Sequence, residues 1–187
     1  MAPKIKITKD DIITAATDIV RMEGASMLNA RSLASRLNCS TQPIFFNFSS
    51  MDEVKFEVVS RAYELYGGYI KREIDKGEVP PYKASGLAYV RFALEEKELF
   101  KLLYMRDRTD EPSNNEDDEL TKLMYSMVSE NTGLKNDDAK LFHLETWAVV
   151  HGIATMVATG FLNLEWDLIS KIITDTYLGL KSHFCKE

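Results

Sequence analysis

The chain has 187 residues, with 23 lysines and arginines against 29 aspartates and glutamates and a formal net charge of −6. Its hydrophobic fraction of 45% and its charged fraction of 28% are ordinary for a globular protein. This composition excludes a disordered tail, a collagen and a disulfide-rich toxin.

The sequence predicts a cytoplasmic protein without a membrane partner. No apolar run reaches the roughly 18 residues that a membrane span needs, and the N-terminus lacks the apolar stretch of a signal peptide. The two cysteines, Cys39 and Cys185, are far apart, which favours a reducing compartment over a structural disulfide. Residues 1–55 are weakly basic and the remainder is acidic, a distribution compatible with nucleic-acid binding near the N-terminus.

The first two predicted helices have clear start and stop signals. Thr8 is a good N-cap, with Asp11 as its capping-box partner, and Gly24 ends the first helix. A second, short helix is predicted over about 29–37. Asn38 follows it and tolerates the left-handed backbone of a tight turn.

The third and fourth helices follow at once. The third is predicted to begin at Ser40, which places Pro43 in a first turn, where its missing N–H needs no partner. Ser50 and Glu53 form a second capping box, which opens a helix of about 25 residues.

The rest of the chain continues in helical periodicity without any sustained alternation of period two. Further helices are predicted at 82–94, 97–106, 117–131, 136–162 and 165–184, with a polar loop over 107–118. The fold class is therefore predicted to be all-α with about nine helices.

The second and third helices form a helix-turn-helix pattern. Leu33, Ala34 and Leu37 face Ile44 and Phe45 across the turn, and the small side chain of Ala34 permits close approach. In this geometry the N-terminal residues of the second helix of the motif project into a DNA major groove.

The stretch from Thr8 to Val54 resembles the DNA-binding domain of the TetR family of transcriptional regulators. The matching residues are Ile12-Ile13, Ala15-Ala16, Gly24, Ser32-Leu33-Ala34, Ser40 to Phe48 and Asp52-Glu53-Val54. The resemblance implies an N-terminal three-helix DNA-binding domain over 1–50. It also implies a C-terminal helical domain over 51–187 that dimerises and binds a small effector.

Three positions depart from the family pattern. Asn38 stands where the family usually has Gly, Phe45 where it usually has a phosphate-binding Tyr, and Met51 where a phosphate-binding Lys is common. The cations that could compensate are Arg31, Lys55, Lys4 and Lys6. Phe48 and Phe45 are expected in a small core, whereas Phe46 is expected to face DNA.

The predicted DNA-binding residues are Arg31, Ser40, Thr41, Gln42, Phe46, Asn47 and Lys55. Gln42 and Asn47 could pair with adenine, and the methyl group of Thr41 could touch a thymine methyl. Ser40 and the cations would position phosphates. The alternative is that the polar members of this set are only solvated.

A cavity for a small, largely apolar effector is predicted in the C-terminal part. Trp147 and His151 are four residues apart on one helix face, and they resemble a Trp…His-Gly element of some TetR-like C-terminal domains. The predicted lining residues are Tyr89, Phe92, Leu103, Tyr104, Trp147 and His151. The alternative is that these side chains are ordinary core residues.

The last two helices are predicted to form a homodimer interface of four helices. Ala148, Gly152, Thr155 and Thr159 form a ridge of small residues that permits close helix packing. A stripe on the last helix contains Ile169, Ile172, Ile173 and Tyr177.

The leading functional hypothesis is a ligand-responsive repressor that binds a pseudo-palindromic operator in double-stranded DNA. An enzyme is poorly supported, because no catalytic, metal-ligating or phosphate-binding pattern is present, and no cofactor is predicted. A second alternative is a helical protein–protein adaptor with the same fold that has lost DNA binding.

Overall fold

A computed structural model describes residues 7–107 and 119–185 of the chain. Within these residues the protein forms nine α-helices, one short 3₁₀ turn and no β-strand, so the predicted all-α fold is confirmed. The helices are α1 (Lys9–Glu23), α2 (Ala30–Arg36), α3 (Gln42–Asn47), α4 (Met51–Asp75), α5 (Pro81–Glu95), α6 (Lys97–Tyr104), α7 (Glu119–Thr132), α8 (Asn136–Ala158) and α9 (Trp166–Phe184).

The described residues pack as two compact units. The first comprises the chain up to Leu65 together with Glu96–Arg106, and the second comprises Tyr66–Glu95 and the described part that follows Asp107. This division by packing differs from the functional boundary predicted at residue 50, which stays a prediction. It assigns α6 to the same unit as the helix-turn-helix.

Helix α1 begins and ends as predicted. The Thr8 hydroxyl accepts a hydrogen bond from the Asp11 backbone N–H at 3.1 Å, and the Asp11 carboxylate accepts one from the Thr8 N–H at 2.8 Å. Gly24 leaves the helix at a φ of 89°, a conformation that a Cβ atom would strain.

The turn between α2 and α3 is a Schellman motif with Asn38 in the left-handed position, at a φ of 51°. The Cys39 N–H donates to the Ala34 carbonyl at 2.9 Å, and the Asn38 N–H donates to Ser35 at 3.1 Å. These bonds satisfy the last carbonyls of α2 and fix the path of the chain into α3.

Helix α3 begins at Gln42, not at Ser40 as predicted. The carbonyl of Thr41 accepts the first helical hydrogen bonds, from the N–H groups of Ile44 and Phe45. Pro43 still lies in the first turn. No helical hydrogen bond is lost there, because the N–H groups of a first turn have no partner within the helix.

The core of the first unit includes Ile12, Ile19, Leu33, Ile44, Phe48 and Val54, each at most 2% exposed. The expectation that Phe45 belongs to this core is wrong, since 49% of it is exposed. On so short a helix only one of two adjacent side chains can point inward, and Ile44 occupies that position.

Only half of the second predicted capping box is formed. The Ser50 hydroxyl accepts from the Glu53 N–H at 3.2 Å, but the Glu53 carboxylate turns to Ser49, accepting from its N–H at 2.7 Å and its hydroxyl at 2.8 Å. These bonds hold the pKa of the Glu53 carboxyl below its ordinary value.

Helix α6 packs against α1. The Arg21 guanidinium forms a 2.7 Å ion pair with Glu96, just before α6 begins. Gly24 permits close approach, because an added Cβ would lie 3.1 Å from a carboxylate oxygen of Glu98.

The second unit is built on α5 and α8, with α7 and α9 packed against them. One cluster in its core comprises Tyr82, Val128, Ala139 and Phe142, covered by side chains of α7 and α9. Helix α8 ends at Ala158, four residues earlier than predicted, because Gly160 takes a φ of 71° and turns the chain.

Contrary to the sequence-based expectation, one helix among the described residues is long and apolar enough to cross a membrane by length and composition. It is α8, with a mean hydropathy of 1.2 over its most apolar 18 residues. Core helices of globular proteins pass the same test. The buried residues of α8, such as Phe142 and Ala154, pack within the second unit.

Candidate DNA-binding helix and effector-binding core

The outward face of α3 consists of Gln42, Phe45 and Phe46. Ile44 and Phe48 anchor the opposite side in the core of the unit. Phe46 is 87% exposed, and Gln42 is exposed and forms no side-chain hydrogen bond within the described residues. The helix therefore presents one amide and two phenyl rings to its surroundings.

The other polar candidates on this helix are less available. The Asn47 amide nitrogen donates to the Pro43 carbonyl at 2.8 Å, which leaves its oxygen as the free acceptor. Thr41 is half-buried at the N-cap, whereas Ser40 is exposed just before it. Among the polar side chains of the motif, Gln42 is thus the freest to contact a base.

The predicted cations differ in their pairing. Arg31 is exposed on α2 and makes no ion pair among the described residues. Lys55 forms a 3.0 Å pair with Asp52, and both side chains are largely solvated, so the pair is weak and can exchange for a phosphate. Lys4 and Lys6 lie outside the described residues.

In the second unit, the Tyr89 hydroxyl lies 2.9 Å from Nδ1 of His151. Trp147 stacks on the His151 ring at 4.8 Å between centroids, and Thr155 Oγ1 lies 3.5 Å from Nε2. Burial lowers the pKa of His151, so the ring is neutral at pH 7. The Tyr89 hydroxyl and Nδ1 of this neutral ring share one hydrogen bond, and Nε2 faces Thr155.

A second tyrosine–histidine pair lies between the same two helices, and sequence reasoning missed it. The Tyr82 hydroxyl lies 3.0 Å from Nδ1 of His143, and Tyr125 packs edge-on against that ring. Burial lowers the pKa of His143 to about 4. The sequence does contain a signal, since the two tyrosines are seven residues apart on α5 and the two histidines eight apart on α8. This spacing becomes informative only when the two helices are known to pack together.

The predicted cavity residues fall in both units. Tyr89 and Phe92 belong to one aromatic cluster, since the buried Tyr66 ring lies 5.6 Å from Tyr89 and 5.5 Å from Phe92. Leu103 and Tyr104 are in the first unit instead, on α6.

The predicted dimer residues also divide into two groups. On α8, Gly152, Thr155 and Thr159 are partly or fully exposed, and a Cβ added at Gly152 would meet nothing within 4 Å. On α9, Ile169 and Ile173 are 0% and 3% exposed and pack within the chain's own core. Tyr177 is half-buried and packs against the rings of Phe142 and Tyr82, so it also faces inward.

A different apolar surface remains on the outside of these two helices. The side chains exposed there are Leu141, Leu144, Met156, Leu168 and Leu178. Gly179 on α9, like Gly152 on α8, has open space where a side chain would stand. Exposed apolar side chains together with glycines that leave open space suit close packing against another helix pair.

The fold and these paired helices define a class of protein, an all-α chain with a helix-turn-helix near its N-terminus and a helical bundle after it. Residues 82–172, just under half of the chain, match the family model described as "Tetracyclin repressor-like, C-terminal domain". The crystal structure of a TetR-like transcriptional regulator from Rhodococcus sp. RHA1 is similar over 94% of each chain, with a TM-score of 0.69 and 15% sequence identity. No curated protein matches the chain.

Residues 82–172 are thus similar to the tetracycline repressor-like C-terminal domain, and the fold of the chain is similar to that of a TetR-like regulator. The resemblance seen in the sequence is thereby confirmed.

Proposed function

We propose that this chain is a ligand-responsive transcriptional repressor, acting in the cytoplasm as a homodimer on a pseudo-palindromic operator. The observation that carries the proposal is the helix-turn-helix, whose α3 is anchored by Ile44 and Phe48 and exposes Gln42 outward. Two such helices, related by the dimer axis, would enter successive major grooves.

The outward faces of α8 and α9 support the homodimer. Leucines and Met156 are exposed on these helices, and exposed apolar residues that cluster are typical of interaction sites. Gly152 and Gly179 leave room there for the backbone of a partner helix. Burying this surface against a second copy would give a four-helix interface.

The aromatic core of the second unit supports a small, largely apolar effector. Tyr66 and Phe92 supply apolar surface, while Tyr89 and His151 add hydrogen-bonding groups that could orient a ligand. An effector that binds only the DNA-incompetent state must raise the thermal midpoint and weaken DNA binding together, by linkage.

Chain connectivity offers a route from the effector to the DNA-binding unit. Helix α5 ends at Glu95, whose carboxylate accepts a 2.8 Å hydrogen bond from Tyr69 in the second unit. The next residue, Glu96, is ion-paired to Arg21 of α1 in the first unit. A ligand that shifts the end of α5 therefore acts on a segment that packs with the DNA-binding helices.

Salt-titrated DNA binding with two variants tests the proposal. If Gln42 contacts a base, Gln42→Ala should cost about 1–3 kcal/mol on the operator and leave non-specific binding nearly unchanged. Met51→Lys should tighten binding on all sequences and steepen the salt slope by about one contact per subunit. The cation would stand at a helix N-terminus, at a cost of about 0.3–1 kcal/mol, which the phosphate contact should exceed at low salt.

The adaptor hypothesis has one observation in its favour, the exposed phenyl rings of Phe45 and Phe46. The same titration separates it from the repressor. An adaptor shows no salt-sensitive DNA binding. A repressor loses DNA affinity steeply as the salt concentration rises, because counterion release then becomes less favourable. Equal weakening of operator and random DNA in Gln42→Ala would show that Gln42 does not contact a base.

A further inference from the structure

Phe46 is the most exposed large hydrophobic side chain in the described residues, at 87%. Its neighbour Phe45 is 49% exposed on the same helix. Most exposed hydrophobic residues stand singly and need no explanation, but adjacent phenyl rings on a six-residue helix form a patch. This patch belongs to the helix that the proposed function places in the major groove.

The polar capacity of α3 is small, which makes the two rings its main chemical feature. The Asn47 amide nitrogen is bonded to Pro43, and Gln42 supplies the exposed amide. A phenyl ring neither donates nor accepts an ordinary hydrogen bond, so Phe45 and Phe46 cannot bind phosphate oxygens or the polar edges of bases. Any base contact of theirs must be apolar.

The major groove offers one apolar group, the C5-methyl of thymine. We propose that Phe46, flanked by Phe45, is a specificity-determining residue that contacts thymine methyl groups, so that each operator half-site contains a thymine selected by its methyl. This inference rests on the proposed function. It adds the chemical class of the base and the residue that selects it.

DNA is favoured over a protein partner for this patch by its surroundings. The rings lie on the second helix of a helix-turn-helix whose connecting turn is fixed by the Schellman bonds at Asn38. Gln42 is exposed on the same helix, and the unpaired cation of Arg31 lies on the preceding one. An adjacent amide and cation complement base edges and phosphates.

The test begins by selecting binding sites for the full chain from a random duplex pool. Each thymine of the selected site is then replaced by deoxyuridine, which removes only the methyl group. A single replacement in one of the two half-sites should weaken binding by about fourfold, as expected for one buried methyl-sized group. In Phe46→Ala the same replacement should have no effect, because the methyl has lost its partner.

Phe56→Ala is the matched control. Phe56 is also strongly exposed, at 68%, but lies on α4 outside the helix-turn-helix. This variant should keep the full thymine-to-deoxyuridine effect. Phe46 makes no core contact, so Phe46→Ala should melt at the temperature of the parent chain.

Photocrosslinking tests the contact without any substitution in the protein. Replacing the implicated thymine by 5-iododeoxyuridine puts iodine at the position of the methyl, and irradiation should crosslink the peptide that contains Phe46. A crosslink to another peptide, or a deoxyuridine effect that persists in Phe46→Ala, overturns the proposal. Selected sites insensitive to every methyl removal also overturn it, and they favour a protein partner for the patch. Failure to select any site instead overturns the proposed function.

Discussion

The buried His143 predicts a specific dependence of stability on pH. Its half-buried ring contacts Tyr82 and Tyr125 and has a pKa lowered by burial to about 4. In the unfolded chain the pKa of a histidine is about 6.5, so between these values the unfolded state binds more protons than the folded state. Stability is therefore greatest above pH 6.5 and is lost as the pH falls toward 4.

The size of this loss follows from the two pKa values. Lowering the pH from 7 should remove about 2 kcal/mol of unfolding free energy at pH 5, and about 3 kcal/mol at pH 4, through His143 alone. The carboxylates of the chain also make stability depend on pH, but their contribution is the same in a variant that changes only His143. The measured quantity is therefore the difference in pH dependence between the parent and His143→Gln, whose side-chain oxygen can still accept the Tyr82 hydroxyl.

Urea unfolding at pH 7 and pH 5 measures this difference. Both tryptophans, Trp147 and Trp166, lie in the second unit, so their fluorescence reports unfolding of the unit that contains His143. His183→Gln is the matched control, because that side chain is exposed on α9 and hydrated in both states. If parent and His143→Gln lose stability equally between pH 7 and pH 5, the buried neutral histidine is not the cause.

Three further predictions follow from the turn, the outer helix face and the junction before α6. Asn38→Val should destabilise the first unit by about 1–2 kcal/mol, since a β-branched residue resists the left-handed backbone, while Asn38→Gly should be nearly neutral in thermal melts. Gly152→Ala should stabilise α8 by about 0.5–1 kcal/mol and keep the dimer, whereas Gly152→Arg should sediment as a monomer; a dimeric arginine variant would remove α8 from the interface. Breaking the ion pair with Arg21→Gln or Glu96→Gln should leave DNA affinity near the parent value but reduce its response to effector, and an unchanged response would exclude this pair from the coupling.

Local signals in the sequence predicted the first unit well. Thr8 with Asp11, Gly24 and Asn38 each act through their own backbone or a partner three residues away, so their effect does not depend on distant parts of the chain. The error at Phe45 has a different origin. Periodicity cannot decide which of two adjacent apolar residues faces inward on a six-residue helix, because the answer depends on what packs against it.

Contacts between distant helices were beyond sequence reasoning. Tyr82 and His143 are 61 residues apart, and only the packing of α5 on α8 brings them together. The placement of Ile169 and Ile173 in the dimer interface has the same origin. Both are as apolar as an interface requires, but the chain itself already buries them. The cavity residues Leu103 and Tyr104 were grouped with Tyr89 by composition, whereas packing assigns them to α6 and the first unit.

The two tyrosine–histidine pairs give this protein natural spectroscopic reporters. His151 lies within the proposed effector core and His143 lies eight residues earlier on the same helix, and Nδ1 of each ring is hydrogen-bonded to a tyrosine hydroxyl of α5. The nitrogen resonances of the two rings therefore each report on one tyrosine of α5. A ligand that engages Tyr89 should shift the His151 signals first and those of His143 only if α5 moves along its length. The two histidines thus show, at two positions along α8, how far a disturbance that begins at Tyr89 extends.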